Sequence, residues 1–336
     1  MERKLTLKQI KAEAARLGFD ACGAAPAGSL PRWRVEQWRS WLSAGRHATM
    51  DYLARHADLR SDPRLLVEGA RTVVSLAVNY RPSEEFPAGA FRLARYALGR
   101  DYHEVVKERL LQLMAVLGLV PGVDGRAFCD TAPVDEHYWA WRCGLGFLGR
   151  HTQLIVPGVG TYCFLGELVL TVPVEGWLEQ PPGQTAADVL SPVCRHCRRC
   201  IGACPAGALS EEAGLDARRC LSYLTIEHRG PLPPATGLLM GRCLYGCDRC
   251  AEVCPYNAVA KPAAWPEFRP RPELLAMQAA DWPRLTVEQY RTLFKGSAVK
   301  RAKYEGLMRN VGALVEAGAV PADDTSSAEK GKEPES

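Results

Sequence analysis

Three observations predict an α+β fold. Helical and strand periods interleave over residues 1–175, cysteines then crowd between Cys194 and Cys254, and a helical period returns beyond Pro272. The first pattern describes a mixed domain of α/β type, the second a compact metal module, and the third a small helical end piece. At 336 residues, 47% of them hydrophobic and 24% charged, the chain is long enough to fill one large core or two ordinary ones.

The elements follow in order. Leu7, Ile10, Ala14 and Leu17 fall at helical spacing with Gly18 as the stop, which predicts an amphipathic first helix. Trp33, Trp38 and Trp41 come next and are expected to pack in a core or subdomain, since large aromatics mostly contribute buried area. Thr72 to Val78 is a β-branched run and reads as a buried strand, and His103 to Gly118 has the apolar period and length of a helix. Ala127 to Thr131, Gln153 to Val156 and Tyr162 to Val172 read as further strands. Pro173 to Pro192 is a proline- and glycine-rich connection. Val287 to Phe294 and Ala298 to Ala317 read as helices, and the polar stretch Pro321 to Ser336 as disordered. The expected division is 1–175 for a catalytic domain, 176–265 for the cysteine module, 266–320 for the helical region and 321–336 for the tail.

Thirteen cysteines are an odd number and they cluster, which points to metal binding rather than to a disulfide scaffold. Cys194-x2-Cys197-x2-Cys200-x3-Cys204-Pro205 is the ligand run of bacterial two-cluster ferredoxins, in which three cysteines hold one cluster and the fourth reaches across to the other. Cys247-x2-Cys250-x3-Cys254-Pro255 repeats the run without its first cysteine. The crossing rule assigns Cys194, Cys197, Cys200 and Cys254 to one 4Fe-4S cluster. Cys204, Cys247 and Cys250 go to a second, completed by Cys220 or Cys243, between which spacing does not choose. Four-cysteine sets also bind zinc, but zinc modules rarely carry the three-residue gap and proline on both halves.

No apolar run approaches the roughly 20 residues that span a bilayer, and Met1 to Lys11 has no signal-peptide core. A cytoplasmic protein with no membrane association is expected. The net charge of +4 decides little, but Arg195, Arg198, Arg199, Arg218, Arg219, Arg229, Arg242 and Arg249 lie among the cysteines. They either compensate anionic clusters or form a phosphate-binding surface that Lys295, Lys300, Arg301, Lys303 and Arg309 would extend. Gly144-Leu-Gly146-Phe-Leu-Gly149 fits the dinucleotide fingerprint by letter, but Asp135 to Arg142 before it reads as helix rather than strand, so that reading is set aside. Cys22, Cys129, Cys143 and Cys163 lack ligand spacing and are expected in the core. Asp101 can cap the helix that follows it. Asp130 stands at an expected strand end; buried beside an apolar cofactor it would have a raised pKa and could donate a proton, the alternative being a structural cap.

With these residues assembled, the chain resembles the epoxyqueuosine reductase family over nearly its whole length. The resemblance is carried by Tyr96-Ala-Leu-Gly-Arg-Asp-Tyr-His103, Asp130-Thr-Ala-Pro-Val134, Gly144-Leu-Gly-Phe-Leu-Gly149, both cysteine runs, Arg219-Cys-Leu-Ser-Tyr-Leu-Thr-Ile-Glu227 and Gly246-Cys-Asp248. That family reduces the epoxide of epoxyqueuosine at the wobble position of certain tRNAs to queuosine, the last step of queuosine biosynthesis, using cobalamin and two 4Fe-4S clusters. The resemblance implies that residues 1–175 bind cobalamin, that Cys220 rather than Cys243 completes the second cluster, and that Asp130 is the proton donor. It implies cobalamin contacts at Arg55, Asp130, Ser222, Tyr96 and Gly246. It further implies a tRNA partner, an external low-potential electron donor and a monomer. The sequence departs from the family at Arg150, where many members have lysine, and in a C-terminal region with only one HEAT-like helical repeat. Rival readings are a corrinoid reductive dehalogenase, disfavoured by the lack of an export signal and by the basic surface, and a ferredoxin-like electron carrier, disfavoured by the large N-terminal domain.

Overall fold

The computed structural model describes residues 5–177, 183, 185–212 and 214–319, so the expected tail at 321–336 lies outside the described residues. A four-stranded sheet is built from β1 (Ala21–Pro26), β2 (Thr72–Asn79), β4 (Gly125–Phe128) and β5 (Cys163–Leu170) in the order β1-β2-β5-β4. Every pairing in it is antiparallel, which places the domain on the α+β side of the expected description. The two remaining strands discussed are short, β3 (Arg92–Leu93) and β6 (Cys243–Tyr245).

The helices are α1 (Leu7–Arg16), α2 (Arg32–Ser43), α3 (Tyr52–Arg55), α4 (Tyr102–Val116) and α5 (Glu136–Arg142). Beyond the sheet come α6 (Arg199–Gly202), α7 (Leu221–Ile226), α8 (Arg249–Glu252), α9 (Val287–Leu293) and α10 (Lys303–Glu316). α1 starts in a capping box, with Thr6 accepting from the Gln9 N–H and Gln9 closing back on Thr6. Leu7, Ile10 and Ala14 are its buried stripe, and Gly18 ends it at φ +87°. All eight residues of β2 are buried, because helices cover both faces of the sheet. α1 and α4 fill one face around Ile10, Leu76, Leu110 and Leu168, and α5 fills the other with Tyr138, Trp139 and Trp141. Asp101 caps α4 by accepting from the His103 N–H.

A further core runs across the expected domain boundaries. Phe91, Leu93, Ala97 and Leu98 pack with Leu221, Tyr245, Trp282, Phe294, Leu307 and Leu314. Its seam is a parallel pairing of β3 with β6, Arg92 opposite Cys243 and Leu93 opposite Tyr245. Asn310 on α10, fully buried, donates to the carbonyls of Thr225 and Leu244 at 2.8 and 3.0 Å, and so fixes the C-terminal helix to the cysteine module.

The structure corrects several expectations. The tryptophan helix α2 buries none of its residues fully, although Trp33 and Trp41 pack against the cores as expected. It lies as a strap in which Trp38 stacks on Trp41 at 5.2 Å, Trp41 donates to the Leu215 carbonyl at 2.6 Å, and Arg60 sits over Trp38. The strand expected over Ala127 to Thr131 stops at Phe128, because Asp130 turns the chain at φ +53°. The helix expected over Ala298 to Ala317 is broken at Lys303, φ +60°, into a 3-10 turn and α10. Cys129 and Cys143 are core residues as expected, while Cys22 and Cys163 are only half-buried. Among the described residues no helix is long and apolar enough to cross a membrane.

The strap is tied to the sheet domain by one well-shielded ion pair. Arg34 Nε lies 2.6 Å from Asp135 Oδ2, with the two side chains 19% and 8% exposed, and Asp135 in turn caps α5. Removing one partner of such a pair leaves a buried charge alone, which costs roughly 3–5 kcal/mol. Arg34→Ala should therefore lower the unfolding free energy by about that amount in a denaturant titration; a loss near zero would mean that Asp135 is solvated once Arg34 is gone.

Candidate active site

Short turns and single-turn helices present the cysteines. Cys194 lies in the turn Pro192–Arg195, Cys200 in α6 and Cys250 in α8, while Cys254 precedes the turn Pro255–Val259. α6 packs against α8, and this closes two groups of sulfurs. Cys200 and Cys254 both feel the charges of Cys194 and Cys197. Cys220 feels Cys204, and Cys250 feels Cys220, Cys200 and Cys204, so the two groups adjoin. Cys247 lies against Cys243 and near Cys250. Cys243 stands apart chemically: a hydrogen bond from Cys247, with Arg92 and Arg249 nearby, holds its thiol down to about 6.

Among the described residues no three His, Cys, Asp or Glu side chains gather closely enough to hold a single metal ion. The Ala208 N–H donates to Cys204 Sγ at 3.2 Å, the kind of contact that tunes a cluster's potential. Arg150 donates to the Cys194 carbonyl at 2.6 Å and pairs with Glu211 at 3.3 Å, clamping the first cysteine loop.

The arginines interspersed among the cysteines are mostly consumed inside the chain. Arg309 donates to the carbonyls of Leu224, His228 and Gly230, Arg229 to those of Ile226 and Arg301, and Arg249 to that of Met240. Arg242 donates to the Gly89 carbonyl and Arg218 pairs with Asp216. The expected phosphate-binding stripe thus shrinks at its C-terminal end to the exposed Lys295, Lys300, Arg301 and Lys303, and Arg301 there pairs with Glu227 at 2.7 Å.

Asp130 occupies a turn between β4 and α5. It lies at the floor of an open mouth, closely surrounded but with its side chain still 58% exposed. Its left-handed backbone is one that aspartate tolerates better than most residues. The Tyr102 hydroxyl donates to Oδ2. His103 Nε2 lies 3.5 Å from the same oxygen, and His103 Nδ1 bonds Asp101 Oδ1 at 2.7 Å. Tyr102 is stacked on Phe164 at 4.2 Å, which fixes its ring.

These contacts reverse the expected protonation. Burial would raise Asp130, but the hydrogen bonds from His103 and Tyr102 and the His103 charge outweigh it and hold the carboxyl below its ordinary range. Burial likewise works against a charged His103, yet Asp101 and Asp130 together lift it to about 9. At neutral pH the carboxylate is therefore ionised, and the proton resides on the imidazolium and the phenol beside it. Neighbouring His137 is pushed down by burial, and His151 to about 4, so both are neutral.

The remaining rim residues surround this mouth unevenly. Tyr96 meets Tyr102 edge-on at 5.9 Å, and its hydroxyl donates to Tyr245 at 3.1 Å. Gly246 sits at φ +71°, with its N–H on Thr225 Oγ1; a Cβ there would come within 2.5 Å of Ala94, so only glycine fits. Arg55 is exposed at the end of α3 and Ser222 is half-buried on α7. The segment before α3 is tied to α7 by Thr49 and Tyr223 at 2.7 Å, and Tyr52 on α3 feels the charges of Glu227, Arg301 and Asp130. α3 thus lies near both the α7 end and the Asp130 turn. A cleft of about 790 Å³ lies elsewhere, between Arg95, Arg199 and Cys254, and contains neither Asp130 nor Arg55.

Sequence reasoning noticed the polar cluster from Tyr96 to His103 but assigned no proton to His103. It missed Glu136 and Glu167 altogether. The signal for Glu167 was available: a lone acid in the middle of the otherwise apolar run Cys163–Leu170. No local signal marks Glu136, which resembles any acid in a helix's first turn.

A family model described as epoxyqueuosine reductase QueG, DUF1730, matches residues 60–131, and one described as a 4Fe-4S double cluster binding domain matches residues 193–257. The epoxyqueuosine reductase of Leadbetterella byssophila is 40% identical over 305 residues, which cover 90% of this chain and 96% of that one. A crystal structure of epoxyqueuosine reductase with an epoxyqueuosine-modified tRNA-Tyr stem loop superposes with a TM-score of 0.79 at 25% identity, covering 92% of this chain and 80% of that one. The epoxyqueuosine reductase of Bacillus subtilis, solved with its catalytic aspartate loop swung out of the active site, superposes with a TM-score of 0.76 at 25% identity, covering 92% and 81%.

The raised His103 has a linkage consequence. Its native value of about 9 lies above the ordinary 6.5, so its contribution to stability is complete below about pH 6.5 and is lost as pH rises through about 9. NMR titration should place the imidazole near 9 and move it down in Asp101→Asn; an unmoved midpoint would show that Asp101 does not hold the charge.

Proposed function

The chain belongs to the epoxyqueuosine reductase family, and from that premise we propose that it reduces epoxyqueuosine in tRNA to queuosine, with Asp130 delivering the proton that the departing oxygen requires. The observation that carries the proposal is the Asp101–His103–Asp130–Tyr102 network opening on a mouth beside the cysteine module. Removing an epoxide oxygen to leave an alkene consumes two electrons and two protons and releases water. The protein must bring both kinds of carrier to one carbon–oxygen bond.

The proton side belongs to the residues described. An ionised Asp130 has no proton of its own to give, so it would act as the final donor by taking one from the His103 imidazolium 3.5 Å away and passing it to the departing oxygen. The resemblance carried by Asp130-Thr-Ala-Pro-Val134 matches the family's proton donor to Asp130, which supports that role. The electron side belongs to the cysteines: Cys194, Cys197, Cys200 and Cys254 would hold one 4Fe-4S cluster and Cys204, Cys220, Cys247 and Cys250 the other, fed by an external low-potential donor. The proximity of Cys220 to Cys204 and Cys250 supports its choice over Cys243.

A cobalamin suits the mouth in chemical character: exposed Arg55 and half-buried Ser222 offer donors, Tyr96 an aromatic wall, and Gly246 a position that admits no side chain. With Asp130 these residues would hold it, and bound there it would supply the low-valent metal that accepts cluster electrons and passes them to the substrate carbon. The chain's own part is to orient the epoxide, exclude water and keep the acid charged. The exposed Lys295, Lys300 and Lys303 would meet tRNA phosphates. We assign residues 1–175 to the cobalamin and acid, 176–265 to the clusters and 266–320 to support and tRNA contact, in a monomeric cytoplasmic enzyme. The dehalogenase and electron-carrier readings give way to the family membership.

Two variants test the assignments. Asp130→Asn should retain the cluster and corrin absorption and lose turnover; normal turnover would remove Asp130 from the reaction. Cys220→Ala should lose about half of the bound iron while Cys243→Ala keeps it, and the opposite outcome would exchange the two ligands.

A further inference from the structure

Behind the Asp130 turn lies a second pair of acids that the reaction above does not use. Glu167, on the central strand β5, is fully buried. Its Oε1 accepts from Ser75 Oγ at 2.8 Å, while its Oε2 is buried with no hydrogen-bond donor among the described residues. The side chain it interacts with is Glu136, the first residue of α5, whose Oε1 accepts the Asp130 N–H at 2.6 Å. Neither acid has an ion-pair partner among the described residues. A buried carboxylate oxygen left bare costs on the order of 1–3 kcal/mol or more, and two ionised carboxylates side by side repel. One proton between the two acids removes both penalties: it gives the orphan oxygen a partner and brings the pair to a single negative charge.

We propose that Glu136 and Glu167 share one proton, and that this pair positions Asp130 by keeping a Glu136 oxygen on the Asp130 N–H. That contact holds the turn in its left-handed conformation and aims the carboxylate at His103 and Tyr102. The inference deepens the reading of Asp130 as proton donor and rests on it, but the pair itself is observable without turnover. Glu136 and Glu167 act through Asp130 and are positioning residues.

The surroundings favour the shared proton. Burial pushes Glu167 up to about 8, and burial with the neighbouring charges of Glu167 and Asp130 pushes Glu136 well above its ordinary value. The groups facing the pair are Asp135 and His137 from α5, Cys129 and Asp130 from the turn, Ser75 from β2, Cys143 from the end of α5 and, beyond Asp130, His103 from α4. His137 is neutral, and Arg34 and Arg60 serve Asp135, so no cation takes the proton's place. At alkaline pH, above the raised values of both acids, the proton leaves, the two acids repel and the hold on the Asp130 N–H weakens. The native pair retains a proton that an unfolded glutamate releases near 4.3. Its contribution to stability is therefore complete below that pH and is lost as pH rises through the raised range of the pair.

The test uses the full-length holoenzyme and two variants. Infrared difference spectra between pH 7 and pH 10 should show a protonated-carboxyl band in the wild type that is lost at high pH and is missing in Glu167→Gln, whose amide supplies a permanent N–H to Glu136. The fall of kcat above pH 8 should move upward in the same variant. Glu136→Ala should lower kcat by roughly 100-fold through misplacement of the acid, and should drop the NMR midpoint of His103 from about 9 towards its ordinary value, since Asp130 no longer faces it. Absence of the carboxyl band at pH 7 would overturn the shared proton even if Glu136→Ala fails to fold. A band present with the His103 midpoint unmoved in Glu136→Ala would overturn the positioning role. Failure of Asp130 as the proton donor would instead show as normal turnover in Asp130→Asn with the band intact.

Discussion

The short parallel pairing of Arg92–Leu93 with Cys243–Tyr245 is the contact on which the site depends. Two strands of two and three residues contribute little ladder energy of their own, yet they close a core that holds the cysteine module, the C-terminal helix and the segment leading to Asp101 in one body. From that seam the path to the acid is short. Tyr245 bonds Tyr96, Tyr96 packs edge-on against Tyr102, and Tyr102 donates to Asp130. Gly246, immediately after the strand, leads directly into Cys247. The same few residues therefore set where the sulfurs stand and where the Asp130 carboxylate points.

Charge around the turn is arranged by pairing rather than by exposure. Asp135 takes Arg34, Asp101 and Asp130 take His103, and Glu136 with Glu167 are left with each other. The division accounts for opposite shifts within a few residues: acids that face a cation or a phenol are held low, and those that face only another acid and a hydroxyl are pushed high. The left-handed backbone of Asp130 is met by a hydrogen bond from its own N–H to Glu136, which ties the geometry of the turn to the acids behind it.

Much of this was legible in the sequence where periodicity or spacing carries the information. The all-buried strand Thr72–Asn79, the helices Tyr102–Val116 and Glu136–Arg142, and the cap at Asp101 follow from local patterns. The cysteine runs announced a two-cluster module, though not which of Cys220 and Cys243 belongs to it. Features that depend on tertiary contact were not legible. The tryptophans of α2 read as packing residues, and Trp33 and Trp41 do pack against the cores, but their hydrogen-bond partners come from residues more than a hundred positions away. The arginines among the cysteines read as a phosphate surface, but many are bound to carbonyls at helix ends that no linear pattern reveals. The ionised state of Asp130 is set by His103 and Tyr102, which lie 27 and 28 positions earlier and reach it only through the packing of α4 on the sheet.

The account stands most directly on what happens to the substrate oxygen. Protein loaded with clusters and cobalamin, reduced anaerobically and given an epoxyqueuosine-containing tRNA stem loop, should yield a nucleoside lighter by one oxygen when digested and weighed by mass spectrometry, with the epoxide form disappearing in step. Recovery of the epoxyqueuosine nucleoside unchanged, from protein whose clusters and corrin are demonstrably reduced, would contradict it.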